Sequence, residues 1–380
     1  MELRLRITAA RVLIGLSSAL LCLALAVLLF AYSGLYNVAA SAGHLAWVEK
    51  FLTFALERSI TTWSLAVEAP PEDLESQARV KIGAGHFYGG CASCHGSPQT
   101  EVNAVHRHML PSPPGLAHHI DHWSPRQLFQ IVRHGIKYTG MPFWSGAGRD
   151  DEVWSVVAFL LVMPDMNAAT YRKLVLGNIR SGNISTARLI SEGIAASQLT
   201  ACDRCHDTAT AEPTSHLVPR LAGQSRDYLA RSLYAYRQNK RQSGIMEPVA
   251  SELENREIEQ LADYYAGLDP PPNPPSDTAD DERINRGRQL AAEGDVARGV
   301  PPCDVCHNAE TIAAFPRLAA QPAAYIEAQL RLWQRGGRAQ TPTGSLMAVI
   351  ARRLDQRQIA DVAAHFQSLP PPTGDSAGVP

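Results

Sequence analysis

The sequence predicts a mainly α-helical protein, in which an N-terminal transmembrane helix leads into three tandem helical domains. Three observations predict it. Residues Val12 to Tyr32 form an apolar run without a single charge. The pattern Cys-x-x-Cys-His then occurs three times, about a hundred residues apart: Cys91-Ala-Ser-Cys94-His95, Cys202-Asp-Arg-Cys205-His206 and Cys303-Asp-Val-Cys306-His307. Each occurrence is followed by a segment whose apolar residues recur at helical spacing. A length of 380 residues suits two to three domains, and 45% apolar against 19% charged residues excludes a disordered chain. The net charge of −2 supplies no basic face for phosphates, which excludes a nucleic-acid partner.

The elements follow in order. Residues 1–11 form a short tail carrying Arg4, Arg6 and Arg11, and residues 12–32 are long enough to span a hydrocarbon core as a helix. With the arginines on one side, the positive-inside rule predicts a single-pass protein of the inner (cytoplasmic) membrane whose remainder faces the periplasm. The triplet Ala40-Ser41-Ala42 resembles a signal cleavage site. It lies well past the apolar run, which itself exceeds the usual length of a signal core, so the helix is read as retained. Cys22 inside it is a small apolar filler. Residues 33–71 form an amphipathic helical connector. Its stretch 44–67 carries Leu45, Val48, Phe51, Leu52, Ala55 and Ile60 at helical spacing between Trp47 and Trp63. These aromatics suit either a membrane surface or the first domain, and packing on the domain is the reading preferred.

Domain one covers 72–168, domain two 172–269 and domain three 282–370, with a proline-rich, acidic, stiff linker at 270–281 and a tail at 371–380. Each opens with a helical pattern (74–88, 187–197, 283–292) and closes with an amphipathic helix (151–162, 255–268, 355–369). Domains two and three are close repeats. Both carry Pro-Arg-Leu-Ala, a glutamine two residues on, then Tyr228 or Tyr325, a methionine and a Pro-Pro-Pro run.

The chemistry rests on the cysteine pairs. Two thiols three residues apart on a turn can each add to one vinyl group of the same haem, and the adjacent histidine then points at the iron. A zinc ribbon would bring two such pairs within about 20 residues of each other, and here each pair stands alone. The reading is three covalently bound haem c groups, held by Cys91 and Cys94, Cys202 and Cys205, and Cys303 and Cys306. His95, His206 and His307 are the proximal ligands.

Distal ligands follow from the methionines. Met246 lies 40 residues after His206, Met347 lies 40 after His307, and Met141 lies 46 after His95. Each sits in a glycine- or proline-marked stretch, read as a loop that wraps the haem and returns on its other face. Thioether sulfur opposite histidine raises the haem potential. Met109 lies only 14 residues beyond His95, too near to reach that face, and Met163 and Met166 are read as core filler. Prolines between histidine and methionine (the run from Pro111 to Pro114, Pro219 and Pro316) offer carbonyls that could accept the imidazole Nδ1 proton. His106, His108, His118, His119, His122 and His134 are read as ordinary loop residues.

With these residues in view, the chain resembles the class I cytochromes c. Units two and three, with Cys-x-x-Cys-His, Pro-Arg-Leu-Ala-(Gly/Ala)-Gln and a late methionine, are similar to the tandem domains of two-haem periplasmic cytochromes c. Unit one, with Gly-Ile-Lys-Tyr-Thr-Gly-Met-Pro-Phe-Trp and the upstream Tyr36–Ala40, resembles a membrane-anchored bacterial type. The resemblance implies three tandem class I cytochrome c domains after the transmembrane helix.

It also implies electron transfer without a catalytic residue or small-molecule substrate. The expected role is carriage of electrons in the periplasm between a membrane quinol-linked donor and a terminal oxidase or reductase, with redox proteins of the inner membrane or periplasm as partners. An electron-accepting subunit of a periplasmic dehydrogenase of alcohol or gluconate type is the alternative. The N-terminal helix and the insert before the first motif depart from that pattern. A peroxidase-type enzyme needs an iron without a sixth ligand, against which the three methionines stand.

Overall fold

The computed structural model describes residues 9–118, 120–176, 196–271, 281–308 and 313–372, and its named elements are all helices. The first, α1 (Ala9–Ser33), is long and apolar enough to cross a membrane: from Ala10 its mean hydropathy is 2.7 and none of that stretch is buried among the described residues. A turn follows, closed by a 3.1 Å hydrogen bond between Tyr36 Oη and His44 Nδ1. Next comes α2 (Ala46–Trp63). Only its last turns pack on the body: Ile60 is buried, and Gln127 Nε2 donates to Thr61 Oγ1 at 3.1 Å. Trp47, Phe51, Phe54 and Trp63 stay exposed. The expected packing of this helix on the first domain therefore holds for one end, where Ile60 and Thr61 meet it, while its aromatics stay exposed.

The first core is built by α3 (Gln77–His86), α4 (Pro125–His134), α5 (Asp150–Val162) and α6 (Ala168–Leu176). Ser124 and Gln127 form a reciprocal capping box that starts α4. Three acids, Asp150, Asp151 and Glu152, open α5, where the helix dipole favours negative charge. The helices α3 and α5 cross at Gly83. A Cβ there would lie 1.9 Å from the Ser155 carbonyl oxygen, so only glycine permits the approach. Phe87 stacks on Phe159 with centroids 5.1 Å apart, and Met163 is completely enclosed as core filler.

A second core joins α7 (Ala196–Asp203), α8 (Arg226–Arg237), α9 (Met246–Ser251) and α10 (Asn255–Ala266) around Leu199, Leu229, Ile258, Leu261 and Tyr265. The opening pattern at 187–197 lies outside the described residues up to 195, and α7 is its continuation into Cys202. The third core joins α11 (Asp281–Glu293), α12 (Ala323–Gln334), α13 (Pro342–Ala351) and α14 (Gln356–Ser368). Here α11 and α14 cross at Gly287, where a Cβ would meet the Asp361 carbonyl oxygen at 2.0 Å. This repeats the crossing of the first core. The linker 270–281 falls outside the described residues from 272 to 280, as does the tail from 373.

The second and third cores meet through their repeated Pro-Arg-Leu-Ala segments. Gln224 Nε2 donates to the Arg317 carbonyl at 2.7 Å, and its Oε1 accepts from Arg317 N at 3.0 Å. Gln321 returns the same pair of bonds to Arg220, at 2.9 and 3.1 Å. Both glutamines are buried, and each satisfies two backbone groups of the other repeat, those of Arg220 being themselves buried. Gln321→Ala is expected to lower unfolding free energy by about 2–5 kcal/mol, since each orphaned buried group costs about 1–3 kcal/mol. A denaturant melt checks it, and a loss under 1 kcal/mol would show that the clamp adds little.

Candidate haem sites

Each Cys-x-x-Cys-His motif folds as a single helical turn. Cys91 ends a π-turn (Phe87–Cys91) that runs into a short helix, Ala92–His95. In the second and third motifs the histidine N–H donates to the carbonyl of the first cysteine, both at 3.0 Å. That spacing sets cysteine and histidine on one side of the turn. The six motif cysteines are unpaired and half-buried. Burial first, then a neighbouring ionisable group, pushes the Cys91, Cys202 and Cys303 thiols up to about 12.

The histidines are oriented identically. Nδ1 meets the Pro114 carbonyl at 2.9 Å in His95, the Pro219 carbonyl at 3.0 Å in His206 and the Pro316 carbonyl at 2.9 Å in His307. A carbonyl oxygen only accepts, so Nδ1 must carry the proton. Burial also pushes each ring below the usual histidine range, with the carbonyl partly opposing it. A neutral ring protonated at Nδ1 leaves the Nε2 lone pair free, which is the tautomer that binds metal. Among the described residues no three His, Cys, Asp or Glu side chains converge as a metal cluster.

The methionines are placed less uniformly. Met141 is in a loop, its N–H donating to Thr139 Oγ1 at 3.1 Å. Met246 instead begins α9 and Met347 lies within α13, so the loops expected there are helices. Thr341 caps α13 by accepting from Gly344 N at 3.0 Å, and Pro342 takes the first helical position, which explains the helix. In the third unit His307 and Met347 line one cleft, together with Phe315, Pro316 and Trp333. Met109 packs against Gly140, directly beside Met141. His106 lies close to His95 with its Nδ1 buried and, among the described residues, without a hydrogen-bond partner, whereas His108, His122 and His134 are exposed. The side chains of His118 and His119 are outside the described set.

A sequence family described as "Cytochrome C oxidase, cbb3-type, subunit III" matches residues 78–160. The chain is also 33% identical over 202 residues to the "Thiosulfate dehydrogenase electron acceptor" of Thiomonas intermedia (strain K12), covering 52% of this chain and 91% of that relative. The chain belongs to the cytochrome c family. Two further relatives in the family are "Cytochrome c4" of Thiocapsa roseopersicina, 36% identical over 40% of this chain and 78% of its own, and "Cytochrome c-552" of Acidithiobacillus ferridurans, 35% identical over 44% and 73%. The protein is a mainly helical electron-transfer cytochrome that binds haem c covalently, and its homologues include cytochromes c4, which hold two haems.

The residues present fit that group. Beyond the Nε2 lone pairs and the cysteine pairs, two arginines await an anion. Arg241 is buried; among the described residues its Nε has no hydrogen-bond partner and its other nitrogens reach hydroxyls, Ser232 at 2.8 Å and Tyr228 and Tyr325 at 3.4 Å. Arg338 stacks on Trp333 at 4.3 Å and bonds the Gln329 amide, and burial together with Arg241 holds it below the ordinary guanidinium range. Burial alone would raise the Tyr228 phenol, but the two guanidiniums hold it down to about 8. Positive charge so enclosed suits the carboxylates of a haem. Sequence reading missed both arginines. The signal was there as a shared spacing, Tyr228, Tyr236 and Arg241 against Tyr325, Trp333 and Arg338, with Arg241 stacked on Tyr236 at 4.6 Å.

Proposed function

We propose that this chain is a membrane-anchored triheme cytochrome c that carries electrons in the periplasm between a quinol-linked membrane donor and a terminal oxidase or reductase. The observation that carries the reading is the threefold repetition of one geometry, a Cys-x-x-Cys-His turn whose histidine gives its Nδ1 proton to a proline carbonyl. When bound, haem c supplies reversible one-electron chemistry at iron. The six motif cysteines would hold it, His95, His206 and His307 would offer Nε2 to its iron, and Met141, Met246 and Met347 would offer sulfur. The three units span 72–168, 172–269 and 282–370, and α1 tethers them to the inner membrane.

A second reading makes the chain an electron-accepting subunit of a periplasmic dehydrogenase, supported by its similarity to the thiosulfate dehydrogenase electron acceptor of Thiomonas intermedia. One preparation of full-length protein from native membranes tests both. Three covalent haems per chain and a redox titration integrating to three electrons are expected, with the protein in the membrane fraction. Two haems would overturn the triheme assignment, and a stoichiometric dehydrogenase in the preparation would favour the second reading.

A further inference from the structure

Glu152 is the third residue of α5, in the first unit, yet its carboxylate serves the second. Its side chain is buried. Oε1 accepts from Ser243 Oγ at 2.5 Å and pairs with Arg149 at 2.7 Å. Oε2 accepts from Gly244 N at 2.7 Å and from Trp144 Nε1 at 3.3 Å. Ser243 Oγ in turn accepts from Met246 N at 3.0 Å and Ile245 N at 3.3 Å, so one hydroxyl links the carboxylate to the methionine backbone. Arg149 also donates to the Gln242 carbonyl at 3.1 Å. Residues 242–244 are therefore gripped by the first unit immediately before Met246.

Trp144 packs on the same segment. Trp144 lies three residues after Met141, and its indole fills the space over Gly244, where a Cβ would come within 2.2 Å of Nε1. An enclosed carboxylate is costly, and a well-packed apolar residue would usually stabilise the same contact better. What an apolar residue could not do is hold three donors, Ser243 Oγ, Gly244 N and Trp144 Nε1, from both units at once.

We infer that Glu152 is a positioning residue for the sixth ligand of the second haem, so that docking of unit one sets the seat of Met246. The inference rests on Met246 being that ligand. Methionine favours ferrous over ferric iron, and each tenfold loss of that preference lowers a potential by about 59 mV.

The test uses the full-length haem-loaded protein and follows three readouts: a haem-resolved redox titration, the far-red methionine-to-ferric charge-transfer band, and the melting temperature. Glu152→Ala is expected to lower the potential of one haem only and to remove one site's share of the band. Glu152→Gln, whose amide oxygen still accepts from Gly244 N, is expected to restore much of both. Ser243→Ala, which leaves no arginine without its carboxylate, is expected to reproduce the selective shift even if Glu152→Ala folds poorly. A purely structural contact would lower the melting temperature and leave every potential in place; that result in Glu152→Ala and Ser243→Ala overturns the inference. Met246→Ala serves as reference. If it removes its share of the band while the other variants do not, only the positioning role fails; if it changes nothing, the ligand assignment fails and the inference with it.

Discussion

Changing both Cys303 and Cys306 to serine is expected to remove one covalent haem per chain, leave the other two, and melt the third unit well before its neighbours. Serine hydroxyls do not form the thioether bonds, so the group would be held only by the proposed ligands His307 and Met347 and by contacts. The cleft that His307 and Met347 line also involves Phe315 and Trp333, and Trp333 belongs to the third core with Leu290, Ile326 and Phe366. Unfilled apolar space costs about 24 cal/mol per Å³, so losing a group of haem size from such a cleft amounts to several kcal/mol, on the scale of the whole stability of a small domain. Haem quantification and intact mass report the loss, and a thermal melt reports the unfolding. The same double substitution at Cys91 and Cys94 should leave the third unit folded, because the first core is separate. Unchanged haem content in the Cys303/Cys306 variant would end the attachment assignment.

The helical class and the haem motifs were legible because their signals are local. A Cys-x-x-Cys-His turn closes within five residues, and the closing helices announce themselves by apolar period and caps: the predicted 151–162, 255–268 and 355–369 are found at Asp150–Val162, Asn255–Ala266 and Gln356–Ser368. Proline carbonyls for the histidines were legible as well, since a proline-marked turn between the two ligands leaves few other acceptors. Two things were not. The segments around Met246 and Met347 contain glycine or proline and read as loops, yet capping by Thr341 and a proline at the first position turn the latter into a helix. The contacts between units were hidden too, for a different reason. Nothing in the sequence around Glu152 distinguishes an exposed acid at a helix start from one buried against Ser243, because Ser243 and Gly244 lie some ninety residues away. Gln224 and Gln321 were visible only as a repeat, whereas their work is to bond each other's neighbouring backbone.

Replacing Met347 by alanine is expected to lower the potential of a single haem by roughly 100 mV or more while the protein keeps all its haem. The thioether is a soft ligand and binds the reduced iron better than the oxidised one. At about 59 mV per tenfold in relative affinity, a hundredfold preference lost is about 120 mV. The local fold should survive, since alanine is the best helix former and Met347 sits inside α13. Met246→Ala should act alike on a second haem. The control is Met163→Ala. That side chain is completely buried in the first core as apolar filler, so its loss should cost about 2–5 kcal/mol of stability as a cavity and shift no potential. The two variants therefore separate by readout: one moves a redox midpoint with a modest change in melting, the other moves the melt alone. A Met347→Ala protein with an unaltered titration would remove that residue from the ligand set, and Leu346 or Val349 on the exposed face of the same helix could not replace it, having no atom that binds iron.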